Sequence, residues 1–101
     1  MSEEAKRQQR ADVLVRPSSE DRLAIRNEGP ETAQAVDITL RDGSRPPFLV
    51  GDLLPVRELR PGHTVELPIG LSIGDAPAID VVVSWVDRSG RQESVQTVIW
   101  P

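Results

Sequence analysis

The chain has 101 residues, a length typical of one domain with a single core. Its formal net charge is −4 and it contains no cysteine, which argues against nucleic acid as a ligand and excludes disulfides, thiolate metal sites and cysteine nucleophiles. Aromatic residues make up only 3 %, so the core must consist mainly of Val, Ile and Leu.

Residues 1–10 differ in composition from the rest of the chain. They lack Gly and Pro, and Glu3 and Arg7 are spaced for an i,i+4 ion pair, but no apolar stripe would hold a helix against a core. We therefore predict a charged linker or frayed helix over residues 1–10 and a β-sandwich domain over residues 11–101. No run of apolar residues is long enough to span a membrane, and the charged N-terminus does not resemble a signal peptide. A cytoplasmic or membrane-associated location is favoured over secretion.

From residue 11 onward, apolar residues alternate with polar ones, the period of a β-strand. "ADVLVR" predicts a strand ending near Pro17, and "RLAIRN" predicts a second strand with Leu23 and Ile25 on one face. "AQAVDITLRD" predicts a third strand. Between the last two, "NEGPET" predicts a turn, because Asn27 and Gly29 tolerate positive φ angles and Pro30 ends the pairing.

The middle of the chain is richer in proline. "DGSRPP" predicts a loop, and "FLVGDLLP", residues 48–55, predicts a short strand or an irregular sheet edge. "LRPGHTVELPIGL" begins with a Pro-Gly turn and continues as a strand. Pro68 places that strand at a sheet edge or marks its end.

The clearest strand signal is "AIDVVVSWVDRSGRQESVQTVIW". It predicts two strands joined by a tight turn at "DRSG", with Gly90 available for positive φ. Trp85 is in phase with Ile79, Val81 and Val83, which predicts a core position for its ring. The apolar triplet at 81–83 predicts a central strand.

Together these patterns predict about seven short strands and no helix long enough to cover a sheet. One sheet alone would leave half of its apolar side chains in water, so a second layer is required. The fold class predicted is all-β: an immunoglobulin-like antiparallel β-sandwich with a short helical or disordered N-terminal lead.

The order of these segments resembles bacterial immunoglobulin-like domains of the CARDB type. The resemblance rests on an Asn-x-Gly turn, small residues before an apolar strand, a Leu-x-Pro-Gly turn and a late Val-x-Val strand. The matching residues are Asn27, Gly29, Ala33, Ala35, Leu59, Pro61, Gly62, Val81 and Val83. "EEAKRQQRADVLV" is also similar to the junction in uncharacterised bacterial proteins where a charged helix, in some cases following a membrane span, precedes such a domain.

This resemblance implies a binding or spacer module without catalytic residues. It covers residues 11–100 for the fold and, more loosely, 3–15 for the lead. The resemblance implies a protein partner, whose identity its motifs do not specify, and it leaves open whether the parent protein is anchored in a membrane.

Side chains that could carry chemistry are few. His63 is the only histidine and follows a Pro-Gly turn, so we expect an exposed turn residue rather than a general base or metal ligand. We predict no enzyme activity and no cofactor or metal. Calcium is the metal hardest to dismiss, because acids are present in many predicted loops, although without a known ligand spacing. These acids are Glu20, Asp21, Glu28, Glu31, Asp42, Asp52, Asp75 and Asp87.

"RPPFLVGDLLPV" contains the candidate interaction surface, an apolar cluster that does not alternate cleanly. The candidate residues are Phe48, Leu49, Val50, Leu53 and Leu54, with Trp100 as a separate contact. At an open edge such a cluster favours strand addition by a partner. The alternatives are that the cluster folds over the core as a loop and that Trp100 closes the core. The function predicted is protein interaction or spacing, with an accessory carbohydrate- or calcium-binding module as the alternative.

Overall fold

The structure is a computed structural model that describes residues 10–19, 21–70 and 78–99. Within these ranges the chain forms seven antiparallel strands in two sheets and no helix, so the all-β sandwich prediction is confirmed. The strands are β1 (Val13–Ser19), β2 (Arg22–Asn27), β3 (Ala33–Thr39), β4 (Val56–Leu59), β5 (Thr64–Pro68), β6 (Ala78–Asp87) and β7 (Gly90–Ile99).

One sheet has the order β1-β2-β5 and the other has the order β4-β3-β6-β7. Immunoglobulin-like sandwiches likewise place strands one, two and five opposite strands three, six and seven. The fourth strand here pairs with the third. The expectation that β6 is a central strand is confirmed, since β6 lies between β3 and β7.

The core lies between the sheets and is built from the apolar faces that the alternation predicted. Leu23 and Ile25 of β2 are fully buried, and so are Val81 and Val83 of β6. Trp85 is 6 % exposed, which confirms its core position. Burying aliphatic side chains contributes roughly 1.5–3 kcal/mol each, so these four strand positions alone are a major source of stability.

The strand assignment in the middle of the chain needs one correction. Residues 48–55 form no strand, and their only sheet pairing is an isolated bridge between Leu49 and Ile69, which fits the irregular-edge alternative. The fourth strand is instead β4, a four-residue strand with two charged positions, Arg57 and Glu58. Pro68 ends β5, an edge strand, as predicted.

The predicted turn at "NEGPET" forms, but without the positive φ angles that Asn27 and Gly29 tolerate. Neither Asn27 nor Gly29 has a positive φ, whereas Ala35 has a φ of 52° and Gly90 the expected positive value, 104°. A Cβ atom on Gly29 would lie 2.5 Å from the backbone nitrogen of Asp12. The glycine is therefore required by close backbone approach and not by a positive φ angle.

Asn27 is the last residue of β2 and its side chain is fully buried. Its Oδ1 accepts hydrogen bonds from the backbone nitrogens of Asp12, at 3.2 Å, and Gly29, at 3.0 Å. Its Nδ2 donates to the carbonyl oxygens of Glu31, at 2.7 Å, and Leu59, at 2.9 Å. One amide side chain thereby joins the entry to β1, the β2–β3 turn and the end of β4.

Residues 1–9 and Trp100 lie outside the described residues, and so do Glu20 and Asp75. The linker or helix predicted over residues 1–10 and the roles predicted for Trp100 therefore stay predictions. In the part of the chain that the structure describes, no helix is long and apolar enough to cross a membrane.

Candidate interaction surface

The loop between β3 and β4, residues 40–55, carries five of the six predicted surface residues. It opens with a tight turn in which the Gly43 nitrogen donates to the Leu40 carbonyl at 2.9 Å and the Leu40 nitrogen donates to the Ser44 carbonyl at 2.8 Å. Arg45 then returns to β3, where its guanidinium pairs with the Asp37 carboxylate and donates to the Ile38 carbonyl at 2.8 Å. The start of the loop is thus fixed to the strand it leaves.

The next part of the loop is bound to the end of β5. Phe48 is 2 % exposed and belongs to the core, and its carbonyl accepts a hydrogen bond from the Gly70 nitrogen at 2.8 Å. Leu49 bridges to Ile69, and the Val50 nitrogen donates to the Pro68 carbonyl at 3.4 Å. Phe48 therefore serves as the buried residue that holds the loop in place.

The other predicted surface residues divide by exposure. Leu49 and Leu54 are half-buried against the core, while Val50 is 52 % exposed and Leu53 is 56 % exposed. The depression between them has a volume of about 20 Å³, room for about one water molecule. Within this loop the candidate surface narrows to Val50 and Leu53, two exposed apolar side chains beside a depression too small for a ligand.

A second exposed apolar group lies on the outer face of the four-stranded sheet. It consists of Val86 of β6 with Val95 and Ile99 of β7. The sequence predicts a strand over this segment but no role for its exposed apolar side chains. The inward positions of β7 include Gln92, Ser94 and Gln96, so hydrophobicity alone does not identify the inner face of this strand.

An open polar groove of about 460 Å³ lies at the opposite end of β6 from Ala78, beside the entry to β1. Its lining includes Asp12, Glu28, Glu93 and the ring of Trp85. Sugar binding in such a groove usually needs an accessible aromatic face. Because Trp85 is almost fully buried, it offers little ring surface for stacking on a sugar.

Several of the described acids that were considered as calcium ligands bind protein groups. Glu28 pairs with Arg16 and Arg26, each at 3.7 Å, and Asp87 accepts hydrogen bonds from the Ala11 nitrogen and the Trp85 indole. Among the described residues no group of three or more acids, histidines or cysteines could hold a metal ion. His63 is exposed at the turn between β4 and β5, as expected.

Asp42 is the one described group whose titration clearly departs from the ordinary range. The Ser44 hydroxyl lies 2.5 Å from the Asp42 carboxylate and the Ser44 nitrogen lies 2.8 Å from it. These hydrogen bonds, that of the hydroxyl first, favour the ionised form and lower the pKa of Asp42. The carboxylate is exposed and closes a turn, which is a structural role.

No family model matches this chain, and no curated protein or solved structure matches it. The fold therefore rests on the strands and sheets described above.

Proposed function

We propose that this chain is a non-catalytic immunoglobulin-like module of the CARDB type that serves protein interaction or spacing in a bacterial protein. The observation that carries the proposal is the pair Val50 and Leu53, two large apolar side chains exposed on a loop that Phe48 fixes to the core. The resemblance extends the proposal to a membrane-associated parent protein, because in some similar proteins a charged segment similar in sequence to residues 3–15 follows a membrane span.

The loop has the properties expected of a contact surface. Binding residues are often found on loops held by a rigid scaffold, since a fixed loop loses little conformational entropy when a partner binds. Val50 and Leu53 provide apolar area to desolvate, and Asp52 and Arg45 provide a polar rim beside them. The proposed partner is a protein with an apolar contact residue that covers this patch.

A photo-cross-linking amino acid at position 53 in the full chain, expressed in a bacterial host, tests the proposal. We expect a discrete cross-linked protein from position 53 and none from position 57, an exposed position on β4 that serves as the matched control. The cross-linked protein, once purified, should bind the wild-type chain and bind Leu53→Ser at least about tenfold more weakly, because a central apolar contact is lost. Equal cross-linking from both positions would contradict the proposal.

Calorimetry separates this proposal from the calcium-binding alternative. An interaction module of the kind proposed has no measurable heat of calcium binding at about 1 mM, the weakest range of extracellular calcium modules. Saturable binding of calcium below that concentration, lost when Asp21 or Asp87 is changed to Asn, would replace the interaction proposal with the alternative.

A further inference from the structure

The two sheets have four edge strands, and three of them are protected against pairing with another chain. β4 has four residues, two of them charged, and β5 ends in Pro68 with the Leu49 bridge beside it. β1 contains Pro17 and an irregular register next to it. The Gln96 side chain also occupies part of the β1 edge, since it bonds to the Val13 carbonyl and the Val15 nitrogen.

The fourth edge strand, β7, has no proline and no break in register, and its two charged residues, Arg91 and Glu93, both lie in its first half. It is ten residues long and pairs with β6 from Asp87–Gly90 to Ala78–Ile99. Within the described ranges, β6 is its only sheet neighbour. Such a long, regular edge carrying exposed apolar side chains is a template for adding a strand.

The turn fixes which backbone groups of β7 are available. Because only two residues separate Asp87 from Gly90, this pair is hydrogen-bonded, and hydrogen-bonded pairs recur at every second residue along the hairpin. The even-numbered residues of β7 therefore bond to β6. The five odd-numbered residues from Arg91 to Ile99 direct their backbone N–H and C=O groups away from the sheet.

When the β7 strands of two copies run antiparallel, the odd-numbered residues of one copy can pair with those of the other. A two-fold axis at Val95 places Val95 opposite Val95, Glu93 opposite Thr97 and Arg91 opposite Ile99. All five outward residues then pair, and no two like charges face each other. Val82 lies beside Val95 in the hairpin, so the pairing continues one apolar row across both copies.

We propose that two copies of this chain associate through antiparallel pairing of their β7 strands about a two-fold axis at Val95, which joins their four-stranded sheets into one. This surface is separate from the Val50–Leu53 loop, so self-association and binding of a different protein are independent. A two-fold contact of this kind uses the same surface on both copies, so that no further copy can add through it and the assembly ends at a dimer.

Sedimentation of the full chain at concentrations up to about 1 mM tests the proposal, because even a weak complex is well populated there. We expect a species of twice the 11.1 kDa chain mass that grows with concentration. Val95→Lys places two like charges across the axis and should raise the dimer dissociation constant at least about tenfold. Gln34→Lys, which adds the same charge at an exposed position of β3 in the same sheet, should leave it unchanged. A monomer at all concentrations, or a Val95→Lys variant that dimerises like the wild type, would overturn the proposal.

A single introduced thiol tests the register directly, because the chain has no cysteine of its own. Hydrogen-bonded antiparallel partners have Cα atoms about 5.5 Å apart, within the range that a disulfide spans. Val95→Cys should therefore form a disulfide-linked dimer on mild oxidation. A mixture of Glu93→Cys and Thr97→Cys should form the mixed dimer in excess over either symmetric one. Gln34→Cys, at an exposed position of β3, is the control, and equal cross-linking from positions 34 and 95 would contradict the pairing.

Discussion

Asn27 has a buried polar side chain, and each polar atom of its amide has a partner. A buried amide without hydrogen bonds would cost a few kcal/mol, whereas a fully bonded one specifies the conformation of the chain around it. Its own backbone is bonded as well, with the nitrogen donating to the His63 carbonyl at 3.1 Å and the carbonyl accepting from the Gly62 nitrogen at 2.7 Å. Asn27 therefore connects, through hydrogen bonds, the entry to β1, the β2–β3 turn and the β4–β5 turn.

Replacing Asn27 with Ala should lower the free energy of unfolding by roughly 3 kcal/mol, because two backbone donors and two carbonyls lose their partner in the interior. Urea denaturation measures the change. Asn27→Asp keeps one oxygen in place but turns a second oxygen toward the two carbonyls, so we expect a loss at least as large. Gln34→Ala, an exposed amide on β3, is the control and should change stability little. Equal losses in the two Ala variants would contradict the role of the buried amide.

Asp42 and Ser44 predict a local pH dependence. The hydrogen bonds from Ser44 lower the pKa of Asp42 in the folded chain, so their contribution to stability is present above the unfolded-state pKa and is lost as the pH falls through the folded-state pKa. Ser44→Ala removes the hydroxyl and should move the Asp42 titration midpoint, followed by NMR, upward. The control is Ser18→Ala in β1. An unchanged midpoint in Ser44→Ala would show that the backbone nitrogen alone holds the carboxylate.

At the scale of the strand, β3 contains an irregularity that its sequence did not reveal. Its pairing with β6 advances three residues on β3, from Gln34 to Asp37, but two on β6, from Val86 to Ser84. One extra residue is thus accommodated as a β-bulge, and Ala35 takes the left-handed conformation within it. An alanine in this conformation is strained, since its Cβ crowds the backbone.

Ala35→Gly should stabilise the chain by up to about 1 kcal/mol, because glycine adopts this φ without strain and the gain exceeds its greater entropy loss on folding. Ala33→Gly is the matched control in the same strand. Ala33 is buried in regular pairing with Leu59, so its replacement should destabilise the chain by about 1 kcal/mol or more. Thermal unfolding of both variants measures the difference, and a loss of stability in both would contradict the strain at Ala35.

The strands that could be predicted are those whose alternation extends over several residues. β2, β6 and β7 are of this kind, and the buried faces of β2 and β6 follow from the period of two and the sandwich geometry. β4 was missed because Val56 and Leu59 are too few apolar positions to show a period. The bulge at Ala35 depends on pairing with β6, which is distant in sequence.

The candidate surface could be predicted only in part, because the sequence does not show which side chains of the loop pack into the core. The composition of "RPPFLVGDLLPV" showed that apolar residues collect there, but not which of them the core would bury. Phe48 is buried where its backbone bonds to Gly70, and this contact between distant segments cannot be deduced from local composition. The apolar outer face of β7 was missed because the inner face of that strand is also polar.

At the scale of the whole molecule, the two sheets meet along β1 and β7, and this contact explains the polar inner face of β7. The Gln96 Nε2 donates to the Val13 carbonyl at 2.6 Å, and its Oε1 accepts from the Val15 nitrogen at 2.9 Å. The amide thus bonds to two backbone groups of β1 as a neighbouring strand would. A side chain of the four-stranded sheet thus provides hydrogen-bond partners for two backbone groups at the edge of the three-stranded sheet.

Gln96→Ala should therefore weaken the contact between the sheets rather than only one strand. The Val13 carbonyl and Val15 nitrogen would lose their partner, and we expect a loss of about 1–2 kcal/mol in the free energy of unfolding. Amide hydrogen exchange should accelerate at Val15 in particular, since the adjacent residues of β1 bond to β2. Gln92→Ala is the matched control, because Gln92 has the same inward orientation on β7 but makes only a 3.5 Å contact with Asp87. Equal losses in the two variants, with no selective change at Val15, would show that packing along β1 and β7, and not the amide of Gln96, holds the sheets together at this edge.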